Sequence, residues 1–183
     1  MKLDQKNIIC ILGKSGVGKN TISNKLNEFL DLSILPSFTT RPIRIGEKDG
    51  REHLFISEEK FLSLKEAGYV TVYTYYDNNY YGALIEQLHK YDVYIIDKEG
   101  LKTLKQNLKN FNILSIYIKT GIIRRIFRMK KRGDSWKSII KRLKNDRIMF
   151  KNIENEVDHI IYNNNFFICV YSCIEIIINK FRR

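Results

Sequence analysis

Nine residues near the amino terminus carry the clearest chemistry. Gly13-Lys-Ser-Gly-Val-Gly-Lys-Asn-Thr21 follows the Walker A pattern through Gly18-Lys19, with Asn20 where Ser or Thr is usual. Glycines at this spacing let the backbone curl until several N–H groups point at one phosphate. A following helix aims its positive end at the same anion. The stretch Gly13, Lys14, Ser15, Gly16, Val17, Gly18, Lys19, Asn20 and Thr21 therefore reads as an ATP-phosphate cradle, with Lys19 as a compact positive charge for the outer phosphates. The hydroxyl that usually meets Mg²⁺ is displaced to Thr21, which leaves the Asn20 carbonyl oxygen or a bridging water as the metal contact. An apolar run, Val93 to Ile96, ends at Asp97. That acid is placed as a Walker B carboxylate is, and it is expected to hold Mg²⁺ directly or through water.

A second group lies between Pro36 and Arg51, a polar, turn-rich stretch holding Arg41 and Arg44 three residues apart. Two planar guanidinium forks at that spacing can grip a phosphate. A third is the segment Gly121 to Lys151, with twelve basic and two acidic residues and hence a net charge of +10. The whole 183-residue chain carries only +12, so the excess is a local feature and suits an anion clamp. Within it, Arg128 and Arg132 are one helical turn apart and share a face. Ile122, Ile126 and Met129 suit the opposite, packed face.

These residues need elements to position them. Ile8 to Leu12 is a short apolar run that reads as a buried strand leading into the glycine loop. Ile22, Leu26, Phe29 and Leu30 recur at helical spacing after the loop. Strand, glycine loop and helix in this order are the context the phosphate motif requires. Further strands are expected at His53 to Ile56, Tyr69 to Tyr76, Val93 to Ile96, Ile113 to Ile118 and Ile160 to Tyr162, with Asp77-Asn-Asn as a turn. Helices are expected from Ser57, over Ile122 to Arg132 and Trp136 to Phe150, and at the carboxyl terminus through Ile174, Ile177, Ile178 and Phe181. Alternating strands and helices predict an α/β fold: a P-loop NTPase-type, largely parallel sheet flanked by helices. No stretch reaches the length of a membrane span, and Met1 to Cys10 lacks the layout of a signal peptide. The expected location is the cytoplasm, and Cys10, Cys169 and Cys173 are expected to be reduced, buried side chains. No RNA-binding motif accompanies the basic segment, so the expected partners are small nucleotides, not nucleic acid or membrane.

The sequence resembles the guanylate kinase family over nearly its whole length. The resemblance rests on Gly13 to Lys19; on Ser37-Phe-Thr-Thr-Arg41 with Arg44-Ile-Gly-Glu47, which match the family's acceptor motif with Pro42 one place early; on Asn79-Tyr-Tyr-Gly82; and on Asp97-Lys-Glu-Gly100. It implies transfer of the ATP γ-phosphate onto GMP or dGMP, with ATP and Mg²⁺ bound. It implies one domain over 1–183, with a core of 1–35, 84–120 and 152–183, an inserted acceptor-binding subdomain over 36–83 and a helical basic lid over 121–151. Arg41, Arg44 and Tyr81 would bind the acceptor phosphate, with His53 where the family usually has Tyr. Ser37 would touch the base. Lys19, Arg41, Arg128, Arg132 and Arg142 would act on the transferring group, Asn163 would lie on the ATP side, and Asp97 and Asn20 would serve the metal.

Val72 and Ala83 fall where the family reads guanine with polar groups, and Ile95 replaces the first acid of its D-x-D strand. Asp77 is the nearest substitute acid. Two other readings therefore accompany the first: a kinase for another base, and a guanylate-kinase-like binding module without turnover.

Overall fold

The structure, a computed structural model, describes residues 6–44 and 46–181. Ile45 of the arginine segment and residues 1–5 of the amino-terminal stretch lie outside them.

The strand ahead of the glycine loop, β1 (Lys6–Leu12), is fully buried beyond its first two residues. It runs parallel between β6 (Val93–Ile95) and β7 (Phe111–Lys119), and β7 runs parallel to β8 (His159–Tyr162). Ile34 adds a parallel bridge to Val93 at the other edge. Because side chains alternate across a strand, β1 feeds two cores. Ile8, Cys10 and Leu12 face one side, with Tyr94, Leu101 and Leu104. Ile9 and Ile11 face the other, with Leu114, Ile116 and Ile118.

The second face is covered by α1 (Lys19–Leu30), which buries Ile22 and Leu26, and by α7 (Phe166–Phe181), which buries Cys169, Cys173 and Ile177. The first is covered by α4 (Lys98–Asn107). All three cysteines are buried and free.

A second four-stranded sheet is made of β2 (Ser37–Thr39), β3 (His53–Phe55), β4 (Val70–Tyr76) and β5 (Asn79–Leu84), in the order β3-β2-β5-β4. Its hairpin closes through Asp77 and Asn78, both left-handed at φ 53° and 60°, the two-residue turn that matches strand twist. Helix α2 (Glu58–Glu66) begins at Ser57, whose side chain accepts the Lys60 N–H. Helix α3 (Ile85–Lys90) leads back to the first sheet.

Helices α5 (Ile122–Lys131) and α6 (Trp136–Met149) cover the sequence from 122 to 149. The packed face expected for α5 holds at Met129 and fails at Ile122. Ile122 is 56% exposed, and the buried residues are Arg125 and Met129. What α5 packs on is the glycine loop, whose backbone oxygens attract a guanidinium and leave little for an isoleucine. Of the tyrosines between Tyr69 and Tyr81, Tyr69 and Tyr75 are exposed and the other four are half-buried. Among the described residues no helix is long and apolar enough to cross a membrane.

Candidate active site

One cleft of ≈ 740 Å³ lies between the two sheets and α5–α6. Its floor is the glycine loop, which leaves β1 and enters α1 with Gly18 at φ 99° in the helix-capping position. A side chain is strained at that φ. The Lys19 ammonium donates to the Gly13 carbonyl at 2.6 Å. Burial lowers its pKa to about 8, and the nearby Asp146 carboxylate opposes the fall. Asn20 and Thr21 are exposed at the first turn of α1 and line the cleft. Val17 is buried, and Lys14 and Val17 instead line a separate hollow with Lys119 and Arg147. Neither of these two residues lines the cleft.

Asn163 is 1% exposed and donates from Nδ2 to the Val17 carbonyl at 2.7 Å, while its Oδ1 has no hydrogen-bond partner among the described residues. It supports the loop from beneath and lines the cleft. Arg128 donates from Nη1 to the Val17 carbonyl at 2.8 Å. Arg132 holds Asp134 at 2.5 Å, and Arg142 leans on the Ser138 hydroxyl at 3.2 Å. All three arginines line the cleft.

The second sheet supplies the opposite wall. Arg41 is buried, and both of its terminal nitrogens reach Glu47, each at 2.7 Å. Glu47 also accepts the Arg44 N–H at 2.9 Å. Burial alone would raise the Glu47 pKa, but the hydrogen bonds from Arg41 and Arg44 hold it at about 2. Among the described residues Arg44 has no such bidentate partner, and its Nη1 stands 3.9 Å from Glu47 Oε1. Its pKa is lowered to about 10 by burial and then by the charges of Arg142 and Arg41, which shows how much positive charge converges here.

Ser37 is buried and its hydroxyl is 2.8 Å from His53 Nδ1. Burial, with the Arg41 charge, pushes the His53 pKa down to about 4, so its imidazole is neutral at pH 7. The rings of Tyr81 and His53 meet edge to face at 5.9 Å.

Asp97 lines the cleft, but its carboxylate also caps α4, accepting the Gly100 N–H at 2.8 Å. Burial raises its pKa against hydrogen bonds from Gly100 and Thr74. Asp77, the substitute acid, sits in the hairpin turn paired with Lys141 of α6 and does not line the cleft. Val72 and Ala83 are both fully buried in the apolar core. Trp136 is exposed beside Lys130 and does not line the cleft. Among the described residues no three His, Cys, Asp or Glu side chains are grouped to hold a metal.

Thr74, Tyr76, Tyr94 and Asp146 also line the cleft, and sequence reasoning gave them no role. Thr74 and Tyr76 are two apart on a predicted strand, so a shared face was available as a signal. Asp146 had none, since a single acid among basic residues reads as surface.

A glycine loop on a parallel sheet, facing an arginine-lined wall across one cleft, defines the P-loop nucleoside monophosphate kinase class. The chain belongs to the guanylate kinase family, whose profile, described as Guanylate kinase, matches residues 5–179. It is 35% identical over 177 residues to a guanylate kinase of Malacoplasma penetrans, covering 89% of this chain and 90% of that one. It is 31% identical over 173 residues to one of Mycoplasma genitalium, covering 89% and 71%. The crystal structure of guanylate kinase from Anaplasma phagocytophilum superimposes with a TM-score of 0.76 at 23% identity, covering 99% of this chain and 89% of that one.

Proposed function

We propose that the chain transfers the γ-phosphate of ATP to GMP or dGMP, giving ADP and the nucleoside diphosphate. The observation that carries this reading is the single cleft in which the Lys19 cradle and the Arg41–Arg44–Tyr81 wall face each other. In this reading 36–83 is the acceptor-binding subdomain and 121–151 the lid over a core of 1–35, 84–120 and 152–183.

A phosphate oxygen of the acceptor attacks the γ-phosphorus. The new P–O bond forms as the bond to the β,γ-bridging oxygen breaks, and ADP leaves with that oxygen. An anionic acceptor needs no strong base, so the protein's work is alignment and charge screening. Arg44 and Tyr81 orient the acceptor phosphate. Arg41 shapes the wall through Glu47, because its fork is already filled. Lys19, Arg132 and Arg142 face the transferring group, and Arg128 holds the loop carbonyl beneath it. The unpaired Asn163 Oδ1 is an acceptor available on the ATP side.

Mg²⁺ would be held mainly by phosphate oxygens and waters, as this ion commonly is. Asn20 and Thr21 at the loop and Asp97 across the cleft would contact it directly or through water, and the exposed oxygens of Asn20 and Thr21 fit such a hydrated ion. When bound, it neutralises phosphate charge.

Guanine would meet Ser37, Thr74 and Asp97, since Val72 and Ala83 are withdrawn into the core. That withdrawal is also what favours the second reading, another base. A coupled ATP-consumption assay with GMP, dGMP, AMP, CMP, UMP and dTMP tests both. A preference for GMP or dGMP is expected. A preference for another base would retain the phosphotransfer and overturn the acceptor. ATP binding without turnover on any of the six would point to a binding module.

A further inference from the structure

Two lid residues to which the transfer assigns no part meet beneath the phosphate cradle. Arg125 of α5 and Asp146 of α6 are 6% and 2% exposed. They form an ion pair through Arg125 Nη2 and Asp146 Oδ2. Both also grip one residue of the glycine loop. Asp146 Oδ2 accepts the Ser15 N–H at 2.9 Å, and Oδ1 accepts the Ser15 hydroxyl at 3.2 Å. Arg125 Nε donates to the Ser15 carbonyl at 2.8 Å. The amide, the hydroxyl and the carbonyl of Ser15 are thus all held from the lid. One residue on, Gly16 lies so close to α5 that a Cβ there would come within 2.8 Å of the Arg125 carbonyl oxygen.

This arrangement carries an electrostatic difficulty. Asp146 lines the same cleft as the cradle, so a buried carboxylate stands beside the place where a triphosphate is read to bind. Its charge reaches its neighbours: the Tyr76 hydroxyl is pushed up to about 12 by burial and then by Asp146. Left alone, that carboxylate would repel the nucleotide through a medium that screens poorly. Arg125 is the cation in contact with it.

We propose that Arg125 and Asp146 are a positioning pair for the phosphate cradle: Asp146 fixes Ser15 from the lid, and Arg125 cancels the carboxylate's charge so that the fixed loop accepts a triphosphate. The proposal rests on the ATP reading above. A buried ion pair is by itself weak evidence for any purpose, since its desolvation cost rivals its attraction. What distinguishes this one is the shared grip on Ser15.

The test is kinetic and calorimetric, on the full chain, with Arg125→Met, Asp146→Asn and the double variant. KM for ATP and for GMP, kcat, ADP affinity by titration calorimetry and the thermal midpoint are measured for each. Arg125→Met is expected to raise KM for ATP about tenfold or more, since truncating one partner leaves the other charge buried and unpaired. KM for GMP is expected to stay within about twofold. Adding Asp146→Asn removes the charge but keeps an acceptor for Ser15, and should restore KM for ATP to within about threefold of wild type. Asp146→Asn alone removes repulsion, so it should leave KM for ATP unchanged or lower. This single variant carries the test by its sign where Arg125→Met does not fold.

A lowered thermal midpoint with wild-type KM for ATP in Arg125→Met would reduce the pair to ordinary packing and overturn the proposal. So would a double variant without recovery, or an Asp146→Asn enzyme as impaired toward ATP as Arg125→Met. A wild type that binds neither ATP nor ADP would instead overturn the ATP reading, and the pair with it.

Discussion

Arg41 and Glu47 meet fork to fork, each terminal guanidinium nitrogen 2.7 Å from its own carboxylate oxygen, with Arg41 almost wholly buried. Glu47 then turns the Arg44 backbone through that residue's N–H. If this wall takes the acceptor, as proposed, its shape depends on a residue that need not touch the acceptor. Glu47→Ala should raise KM for the acceptor about tenfold or more while leaving KM for ATP near wild type. It should also cost roughly 2–4 kcal/mol of stability, because a buried guanidinium loses its partner. Acceptor and ATP saturation curves, with a denaturant melt, read both effects. Equal changes in the two KM values would contradict this division of the cleft.

Acid should weaken the same wall in two steps. His53 has a folded pKa near 4 against an ordinary 6.5. The unfolded chain then binds the extra proton first as pH falls, so stability present above pH 6.5 is lost between 6.5 and 4. Glu47 has a folded value near 2 against 4.5, so its contribution is present above pH 4.5 and lost between 4.5 and 2. Denaturation midpoints recorded from pH 7 to 3 should fall continuously. In His53→Phe the fall between 6.5 and 4 should be smaller, and an unchanged profile would show that His53 is not buried in its neutral form.

The glycine loop and the arginine stretch were legible in the sequence because each is local. Gly13 to Lys19 follow one another between β1 and α1, and Arg41, Arg44 and Glu47 sit within one turn-rich stretch. The pairing of β2 with β5 was not legible. Ser37–Thr39 is too short to show a period, and its partner lies some forty residues away. The α5 face was legible at Met129 and misread at Ile122, for a different reason. Ile122, Ile126 and Met129 satisfy helical spacing, but spacing alone does not say what lies opposite. Here backbone carbonyls of the loop lie opposite, so Arg125 is buried and Ile122 is left in solvent. Asp146 and Arg125 were hidden in the charge count itself, since a +10 segment reads as a solvated surface until packing selects which of its charges are inside.

Among the described residues Lys19 makes a single side-chain hydrogen bond, to the Gly13 carbonyl, and it lines the cleft at the start of α1. Lys19→Met should lower kcat/KM about a hundred- to a thousandfold, the scale seen when one preorganised charge-stabilising donor is lost. Its folded pKa near 8 adds a pH signature. ATP affinity should weaken as pH rises through 8, because the free protein gives up the ammonium proton that the triphosphate needs. Titrations with ADP at pH 7 and 9 measure this directly. The dependence should vanish in Lys19→Met, and its persistence there would assign it to another group.

Arg128 of α5 and Arg132 at its end differ in freedom, and the difference predicts unequal roles. Arg128 is already spent on the Val17 carbonyl at 2.8 Å. Removing it loosens the loop and should raise KM for ATP. Arg132 is 41% exposed in its side chain and holds only Asp134, its neighbour two residues on. Such an exposed pair contributes little, typically below about 1 kcal/mol, so Arg132 is free to turn onto developing charge once nucleotide fills the cleft. Arg132→Ala should therefore lower kcat by about a hundredfold with a small change in KM for ATP, the pattern of an interaction made only in the transition state. Asp134→Ala should leave kcat within about twofold, since the pair it breaks is weak. Steady-state kinetics on Arg128→Ala, Arg132→Ala and Asp134→Ala separate the three. A loss confined to KM in Arg132→Ala would make that arginine a binding group, and the charge on the transferring phosphate would then fall to Lys19 and Arg142.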